Sequence, residues 1–174
     1  MATAWEPLRA EHAGAVAAFL AAARAVPSAA WEVPMAEGKW TPAQVAEHLR
    51  LTYAALLDET ATGRPALRLR VPWWLRPILR WRFLPIVLDQ RVMPKGARAP
   101  REIAPGAGPF DREPTLAAIA RDASAWEEAF GAALARGGGQ LTHHVFGRLA
   151  AKDAARFVIV HTTHHARQIA DRPQ

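Results

Sequence analysis

Residues 151–170 read AKDAARFVIVHTTHHARQIA, a pattern typical of an amphipathic helix. Apolar side chains recur at three- and four-residue intervals, which places them on one helical face. His161 and His165 continue that face, because four residues advance a helix by about 40° in rotation and about 6 Å in rise. The predicted stripe comprises Ala154, Phe157, Val158, His161, His165, Gln168 and Ile169. We therefore expect a core-facing helix that presents two histidines inward.

The same periodicity predicts three more helices upstream. The first covers Glu6 to Ala25. The second starts at Thr41-Pro42-Ala43-Gln44, a capping box with proline in the first helical turn, and reaches about Thr60. The third starts at Glu113 and ends at Gly137-Gly138-Gly139. All four helices have an apolar stripe that can be buried against the others.

A long connection separates the second helix from the third. It spans residues 63–113 and is rich in proline, glycine and arginine. Within it, Leu75 to Gln90 is expected to form one or two short helices, and Met93 through Pro109 an extended loop. Four amphipathic helices without a convincing strand predict an all-α fold: a four-helix bundle with a long crossover between helices 2 and 3, in one domain covering residues 1–174.

The composition restricts the chemistry that a site in this chain can use. The 174-residue chain has no cysteine, which excludes disulfides, thiolate-bound metals and cysteine nucleophiles. A site must therefore use histidine, carboxylate, hydroxyl or backbone groups. The formal charge of +6 suggests nucleic acid, but the arginines cluster between Arg64 and Arg101 without a recognised nucleic-acid motif. Nucleic acid is thus not expected as a partner.

No membrane partner is expected either. The first residues lack a basic region followed by an apolar core, so no signal peptide is predicted. The most apolar later stretch, Val71 to Leu88, contains three arginines and three prolines, which makes it too charged and too broken to span a bilayer. We therefore expect a cytoplasmic protein.

Two histidines on one helix make half of a metal site. Open catalytic zinc sites typically use three protein ligands and a water molecule. His48 is the only histidine on the inward stripe of the second helix, so we expect His48, His161 and His165 to bind one divalent cation. Zinc or nickel is favoured, and iron or manganese also suits such ligands. The alternative is three buried histidines with ordinary hydrogen bonds, which leaves several polar nitrogens to satisfy.

Two neighbours of this pair have more than one interpretation. His164 lies about 60° from His161 around the helix, so it can replace His165 as ligand or act as a catalytic proton carrier in the pocket. Gln168 is expected either to hydrogen-bond to a ligand or line the pocket, or else to cap the helix end or face solvent. We favour His165 as the ligand and His164 as the catalytic group.

The remaining histidines and the aromatic pairs receive less specific predictions. His12 lies off the stripe of the first helix and is expected in solvent. His143 and His144 lie in a loop and are expected at the surface, with contact to a substrate at the open end of the bundle as the alternative. The pairs Trp73-Trp74 and Trp81–Phe83 are expected to cover the core, or to roof a pocket.

Three segments resemble the DinB-like (YfiT-type) superfamily. They are Trp40 through Gln44, Glu47 through Leu49, and Phe157 through Ile169. Within it the chain is most similar to the branch with a His-x-x-Phe-Gly element before the last helix, here His143 through Gly147. The stretch Met93 through Glu102 is similar to the crossover of that branch.

The resemblance implies a bundle of four helices with one long crossover and a metal site built by one histidine of helix two and a pair, four apart, of helix four. Those positions match His48, His161 and His165. It also implies a homodimer and an activity akin to that of thiol-dependent S-transferases and isomerases that use bacillithiol or mycothiol, or of hydrolases. One departure is Ala154-Ala155, where related sequences usually have a bulky aromatic side chain.

These observations predict a metal-dependent enzyme with a small-molecule substrate. A cation held by neutral imidazoles keeps its full charge, so it can activate water or present a thiolate. We expect transfer of a low-molecular-weight thiol to an electrophile, or hydrolysis by metal-activated water, with crossover arginines binding carboxylates of the thiol. One alternative is a non-catalytic metal-binding stress or interaction protein, recognisable by a fourth protein ligand. A less favoured one is nucleic-acid binding through the crossover.

Overall fold

The structure, a computed structural model, describes residues 2–94 and 98–172, and the side chains from residue 5 onward in the first range. This part of the chain is mostly helical. Its α-helices are α1 (Ala2–Arg24), α2 (Pro42–Thr62), α3 (Arg76–Gln90), α4 (Arg112–Ala135) and α5 (Ala151–Ala170). Two short strands, β1 (Leu141–His143) and β2 (Gly147–Leu149), form an antiparallel pair. None of the described helices is both long enough and apolar enough to cross a membrane.

The helix starts and stops follow the local signals in the sequence closely. At the start of α2, the Thr41 hydroxyl accepts a hydrogen bond from the Gln44 backbone N–H, and the Gln44 side chain accepts one from the Thr41 N–H, both at 3.0 Å. This capping box satisfies two N–H groups that a helix start otherwise leaves unpaired. The bounds of α5 match the prediction, whereas α1 starts upstream of the predicted Glu6 and contains Pro7.

The crossover between α2 and α4 contains one helix, α3, and a short 3₁₀ turn at Arg101–Ile103. Helix α3 contacts α5, and the 3₁₀ turn contacts α2, so the crossover is attached to the long helices at two places. The rest of the predicted loop from Met93 to Pro109 has no regular secondary structure where it is described. Lys95 to Ala97 of that prediction lie outside the described residues.

The prediction that the chain has no strand was wrong, because a small hairpin precedes α5. Leu141 pairs with Leu149, and both side chains are buried. Gly139 and Gly147 have φ angles of +87° and +74°, a conformation that glycine adopts without steric cost. Strands of three residues are too short to show an alternating pattern, which explains why periodicity missed them.

The core lies between the four long helices. Contacts join α1 to α4 and α5, and α2 to α4 and α5. The stripe predicted for α4 is buried throughout: Leu116, Ile119, Ala123, Trp126 and Phe130. Ala154 and Ala155 at the start of α5 are buried as well.

A buried polar chain crosses this core and overturns the prediction for His12. His12 is fully buried, at 0% exposure, and its Nδ1 donates to the Glu127 carboxylate at 2.7 Å. The Tyr53 hydroxyl lies 2.8 Å from His12 Nε2 and 2.8 Å from Thr162 Oγ1. These side chains come from α1, α4, α2 and α5 respectively. The prediction failed because a polar residue off an apolar stripe can be buried when other helices supply its partners.

The ionised state of Glu127 is consistent with its role as the acceptor in this series of buried hydrogen bonds. Burial by itself would raise the pKa of Glu127, but hydrogen bonds from His12 and Arg9 outweigh it and lower the pKa below the ordinary value. Glu127 is therefore a carboxylate near neutral pH, and an acceptor for both donors.

Candidate metal centre

Three histidine side chains meet between α2 and α5. The Nε2 atom of His161 lies 3.2 Å from Nε2 of His48 and 3.2 Å from Nε2 of His165. One ligand atom from each residue lies within 4.8 Å of the other two, and all three residues are at least partly buried. The four-residue spacing on α5 therefore brings its two imidazoles together, as expected, and α2 supplies the third.

The ring of His48 is oriented by the crossover. His48 lies in the second turn of α2, whose start is fixed by the capping box. Its Nδ1–H donates to the backbone carbonyl of Ile103 at 2.7 Å, and the Trp40 ring lies 5.1 Å from the imidazole, centroid to centroid. Because Nδ1 carries the proton, Nε2 is left with a lone pair that faces the other two histidines.

The ring of His165 is oriented in the same manner by its own helix. Its Nδ1–H donates to Gln168 Oε1 at 2.8 Å. Of the two interpretations of Gln168, the geometry thus favours support of His165 over a solvent-facing cap. A hydrogen bond to the nitrogen that is not a ligand is the usual way in which metal-binding histidines are held.

The histidines are neutral near pH 7. Burial lowers the pKa of His48 and holds that of His161 well below the ordinary value, with the neighbouring histidines adding to the effect at His161. Burial and the nearby His48 lower the pKa of His165 to about 3. Neutral imidazoles are the form that binds metal ions.

This set of donors fits a divalent cation. Two nitrogens bound to one tetrahedral zinc at about 2.0–2.1 Å stand about 3.3–3.4 Å apart, close to the observed pair distances of 3.2 Å. Two neutral imidazoles whose Nε2 lone pairs face each other repel unless a cation or a proton lies between them. Nitrogen ligands of this kind suit zinc, nickel, iron and manganese.

The three histidines form part of the wall of a cavity of about 410 Å³. Most of its lining is apolar, with side chains from α2, the crossover, the β hairpin and α5. Phe83, Met93 and Phe157 are examples, and Arg98 is a charged group of the crossover that reaches it. A volume of this size accommodates a small organic molecule.

The other histidines lie around the same cavity. His164 is half-buried, lines the cavity and packs with its ring centroid 5.1 Å from that of His165, so it is placed beside the three convergent nitrogens. His143 and His144 line the cavity too, and neither is fully exposed, contrary to the expectation of a surface loop. The hairpin explains this difference, because it folds the end of β1 toward α5.

His143 is held neutral, in the tautomer that carries its proton on Nε2. Its Nδ1 accepts hydrogen bonds from the backbone N–H groups of Val145 and Phe146, both at 3.2 Å, so its proton is on Nε2. Burial lowers its pKa to about 3. The ring also packs 4.6 Å from Phe157, centroid to centroid.

The sequence missed several contributors to this site. The Ile103 carbonyl is a backbone group, and no side-chain pattern identifies such a partner. Tyr53 and Thr162 line the cavity and hydrogen-bond to each other there, but their types are common on helices. The tryptophans were placed wrongly, because Trp73, Trp74 and Trp81 are exposed; Phe83 lines the cavity.

The similarity of this chain to known proteins lies at the level of a family. No curated protein and no solved structure matches it. Residues 11–169 match the model of the DinB superfamily, as the resemblance of the histidine motifs predicted. Since the match covers nearly the whole chain, this protein belongs to the DinB superfamily.

Proposed function

We propose that this protein is a metal-dependent enzyme acting on a small molecule, with His48, His161 and His165 as the metal ligands. The proposal rests on one observation above all: three neutral imidazoles direct Nε2 to a common point in the wall of a cavity of about 410 Å³. A metal site built only for stability has no need of a cavity beside it.

The residues of the chain have separate tasks in this proposal. When bound, a divalent cation supplies a Lewis acid that activates a thiol or a water molecule. The Ile103 carbonyl and Gln168 keep two of the ligands in the tautomer that binds metal. The apolar lining excludes bulk water, and His164 is placed to take up or release a proton beside the ligands.

The favoured reaction is transfer of a low-molecular-weight thiol to an electrophile. Arg98 lines the cavity and provides a cation for a carboxylate of such a thiol. Hydrolysis of a small substrate is the second reaction that this site suits. Zinc or nickel is the proposed metal, with iron or manganese as further candidates.

The wider setting is part of the same proposal. The four long helices would form the bundle that the resemblance implies, with the crossover running along it, in one domain over residues 1–174. A homodimer and a cytoplasmic location are proposed on the resemblance and on the sequence pattern. No nucleic acid is needed as a partner.

A non-catalytic metal-binding protein is the main competing function. Its mark would be a closed site, with a fourth protein ligand on the cation. Among the described residues, the group that could hold a metal contains three histidines and no fourth histidine or carboxylate. This open set supports the catalytic proposal over a purely structural metal.

Elemental analysis of protein purified without a histidine tag provides the first test. We expect about one metal ion per chain in the native protein and in a His164→Ala variant, and at least about a tenfold loss in His48→Ala. The metal-loaded protein is then assayed with a panel of thiols and a model electrophile, where His164→Ala should lower turnover. Full metal content in His48→Ala would remove His48 from the site and contradict the proposal.

A further inference from the structure

The crossover displays an apolar surface that the core does not use. Trp73, Trp74 and Trp81 are 77%, 60% and 79% exposed, and Ile78 is 57% exposed. Together with the exposed Arg82 we call these residues the tryptophan face. The buried side chains of α3 are Leu84, Val87 and Leu88, all in its C-terminal half. In the turn before α3 and in its first half, the four apolar side chains of the tryptophan face therefore remain mostly exposed among the described residues.

Such a surface is unusual on a protein that has no partner for it. Proteins seldom expose several large apolar side chains side by side, because each one forfeits the free energy that burial would give. A single exposed tryptophan needs no explanation, whereas three within nine residues do. The chain contains seven tryptophans, and the buried Trp5, Trp31 and Trp126 show that its core can accept this side chain.

The charged residues in the segment that contains the tryptophan face are all positive. Residues 60–88 contain six arginines, no lysine and no acidic residue. Two of the arginines form ion pairs with described carboxylates, Arg70 with Glu102 at 3.8 Å and Arg80 with Asp153 at 3.6 Å, and Arg68 also lies near Glu102. Arg64 and Arg82 form no ion pair with a described carboxylate, and the Arg82 guanidinium lies 5.5 Å from the centre of the Phe83 ring. Positive charge thus remains available to an anionic partner.

We propose that the tryptophan face binds the surface of an anionic phospholipid bilayer. Tryptophan prefers the level of the lipid headgroups, where its ring is in contact with acyl chains and its N–H with water. Ile78 can enter the acyl boundary beside Trp81, while Arg82 reaches headgroup phosphates. Arginines near an anionic leaflet each add to binding through electrostatic attraction.

Two other occupants are less compatible with these residues. A second copy docked through the same face would bring two arginine-rich surfaces together, and repulsion between their positive charges opposes this. Single-stranded nucleic acid would use the tryptophans as stacking platforms, but it has no use for the exposed Ile78. An anionic bilayer has an apolar layer beneath a negatively charged surface. It therefore matches both the arginines and the exposed apolar side chains of this region.

This inference departs from the expectation that the protein has no membrane partner. That expectation rested on the inability of Val71 to Leu88 to span a bilayer. Attachment to the interface has different requirements, namely exposed apolar side chains with adjacent cations, and arginines and prolines are compatible with it. It is also independent of the metal site, so each can fail without the other.

Vesicle flotation of the full chain tests the inference. Vesicles of phosphatidylcholine alone are compared with vesicles in which about one lipid in three is phosphatidylglycerol. We expect binding to the anionic vesicles only, and weaker binding as salt is raised. Trp81→Ser and Arg82→Glu should each weaken binding by about tenfold. Both side chains are exposed, so both variants should keep the native melting temperature.

Matched controls come from another part of the chain. Val33 is an exposed apolar residue and Lys39 an exposed cation in the loop between α1 and α2. Val33→Ser and Lys39→Glu should leave vesicle binding unchanged. Absence of binding to anionic vesicles at low salt would overturn the inference. So would a dimer that Trp81→Ser converts to monomer without any effect on lipid, or retention on single-stranded DNA without binding to vesicles.

Discussion

The Nδ1–H of His48 donates to the Ile103 carbonyl at 2.7 Å and so joins the crossover to the face of α2 that meets His161 and His165. The two residues are 55 positions apart in the chain. This bond places the proton of His48 on the nitrogen that faces away from His161 and His165, and it makes the crossover a part of the site rather than a mere connection.

The tautomer of His48 gives the first prediction. We expect long-range ¹H–¹⁵N spectra of the metal-loaded protein to show His48 protonated at Nδ1, with Nε2 shifted as a metal-bound nitrogen, because Ile103 accepts the Nδ1 proton. Observation of the opposite tautomer would mean that Nε2 is not the ligand atom.

Gln168 should influence metal affinity although it is not a ligand. Gln168→Ala removes the acceptor for the Nδ1–H of His165, so the imidazole loses its orientation and we expect about 10–100-fold weaker metal binding. Gln168→Glu keeps an acceptor oxygen at the same position and should restore most of the affinity. Metal titration with a competing chelator measures both, and equal affinity in Gln168→Ala and native protein would show that this bond has no role.

The buried hydrogen bonds of Tyr53 should contribute to stability in a non-additive way. Tyr53→Phe and Thr162→Val each remove one partner of the 2.8 Å bond between their hydroxyls. Each should lower the free energy of unfolding by about 1–3 kcal/mol, because a buried polar group loses its partner. The double variant should cost less than the sum, since the second change removes the group that the first left unsatisfied. Urea denaturation measures this cycle, and strict additivity would argue against the bond.

Acid should destabilise the metal-free protein before its carboxylates titrate. The pKa of His165 falls from 6.5 in the unfolded chain to about 3 in the folded protein, because of burial and the nearby His48. Between these two pH values the unfolded chain binds more protons, so stability falls as pH is lowered from 6.5 toward 3 and is fully present above 6.5.

Each buried, neutral histidine adds up to about 1.4 kcal/mol per pH unit to the slope of the unfolding free energy against pH. Urea denaturation in the presence of a chelator should show the decline between pH 6.5 and 5, where carboxylates remain charged. His165→Gln should make the decline shallower, whereas the exposed Lys39→Glu should not. A flat native profile over this interval would contradict the neutral, buried state of His165.

The glycines before the hairpin allow a matched comparison of backbone strain and packing. Gly137 and Gly139 both have positive φ, +80° and +87°, so alanine at either position should cost about 1 kcal/mol. A Cβ at Gly139 would also lie 2.9 Å from Leu134 Cδ2 and 3.2 Å from Ala151 Cβ, whereas one at Gly137 would meet no atom within 4 Å. Gly139→Ala should therefore lower the melting temperature more than Gly137→Ala, and the reverse order would refute the packing argument.

Predictions from neighbouring residues were correct where the whole sequence pattern lies within one helix or at its ends. The capping box at Thr41, the end of α4 at the glycines and the bounds of α5 depend on neighbouring residues alone, and they were predicted correctly. The convergence of His161 with His165 belongs to the same class, because helix geometry fixes their relative position. The short strands of the hairpin failed because three residues contain too little pattern.

Contacts between elements explain the remaining errors. His12 was expected in solvent, yet Glu127 and Tyr53 accommodate it in the core. Trp73 and Trp81 were expected over the core, yet Trp73 in the turn before α3 and Trp81 within α3 are both exposed. A histidine or a tryptophan can be stable either in the core or at the surface. Which of the two occurs here depends on whether a distant helix packs against the side chain.

The sequence by itself determined that this chain is helical, that it has no cysteine thiol of its own, and that two imidazoles share one face of its last helix. Those properties follow from residue type and from the 3.6-residue period, which act over a few residues. Only the tertiary structure decided how far His48 lies from that pair, which backbone carbonyl orients it, and which polar groups are buried. Such distances depend on how helices pack across gaps of a hundred residues or more in the chain, and no local rule specifies them.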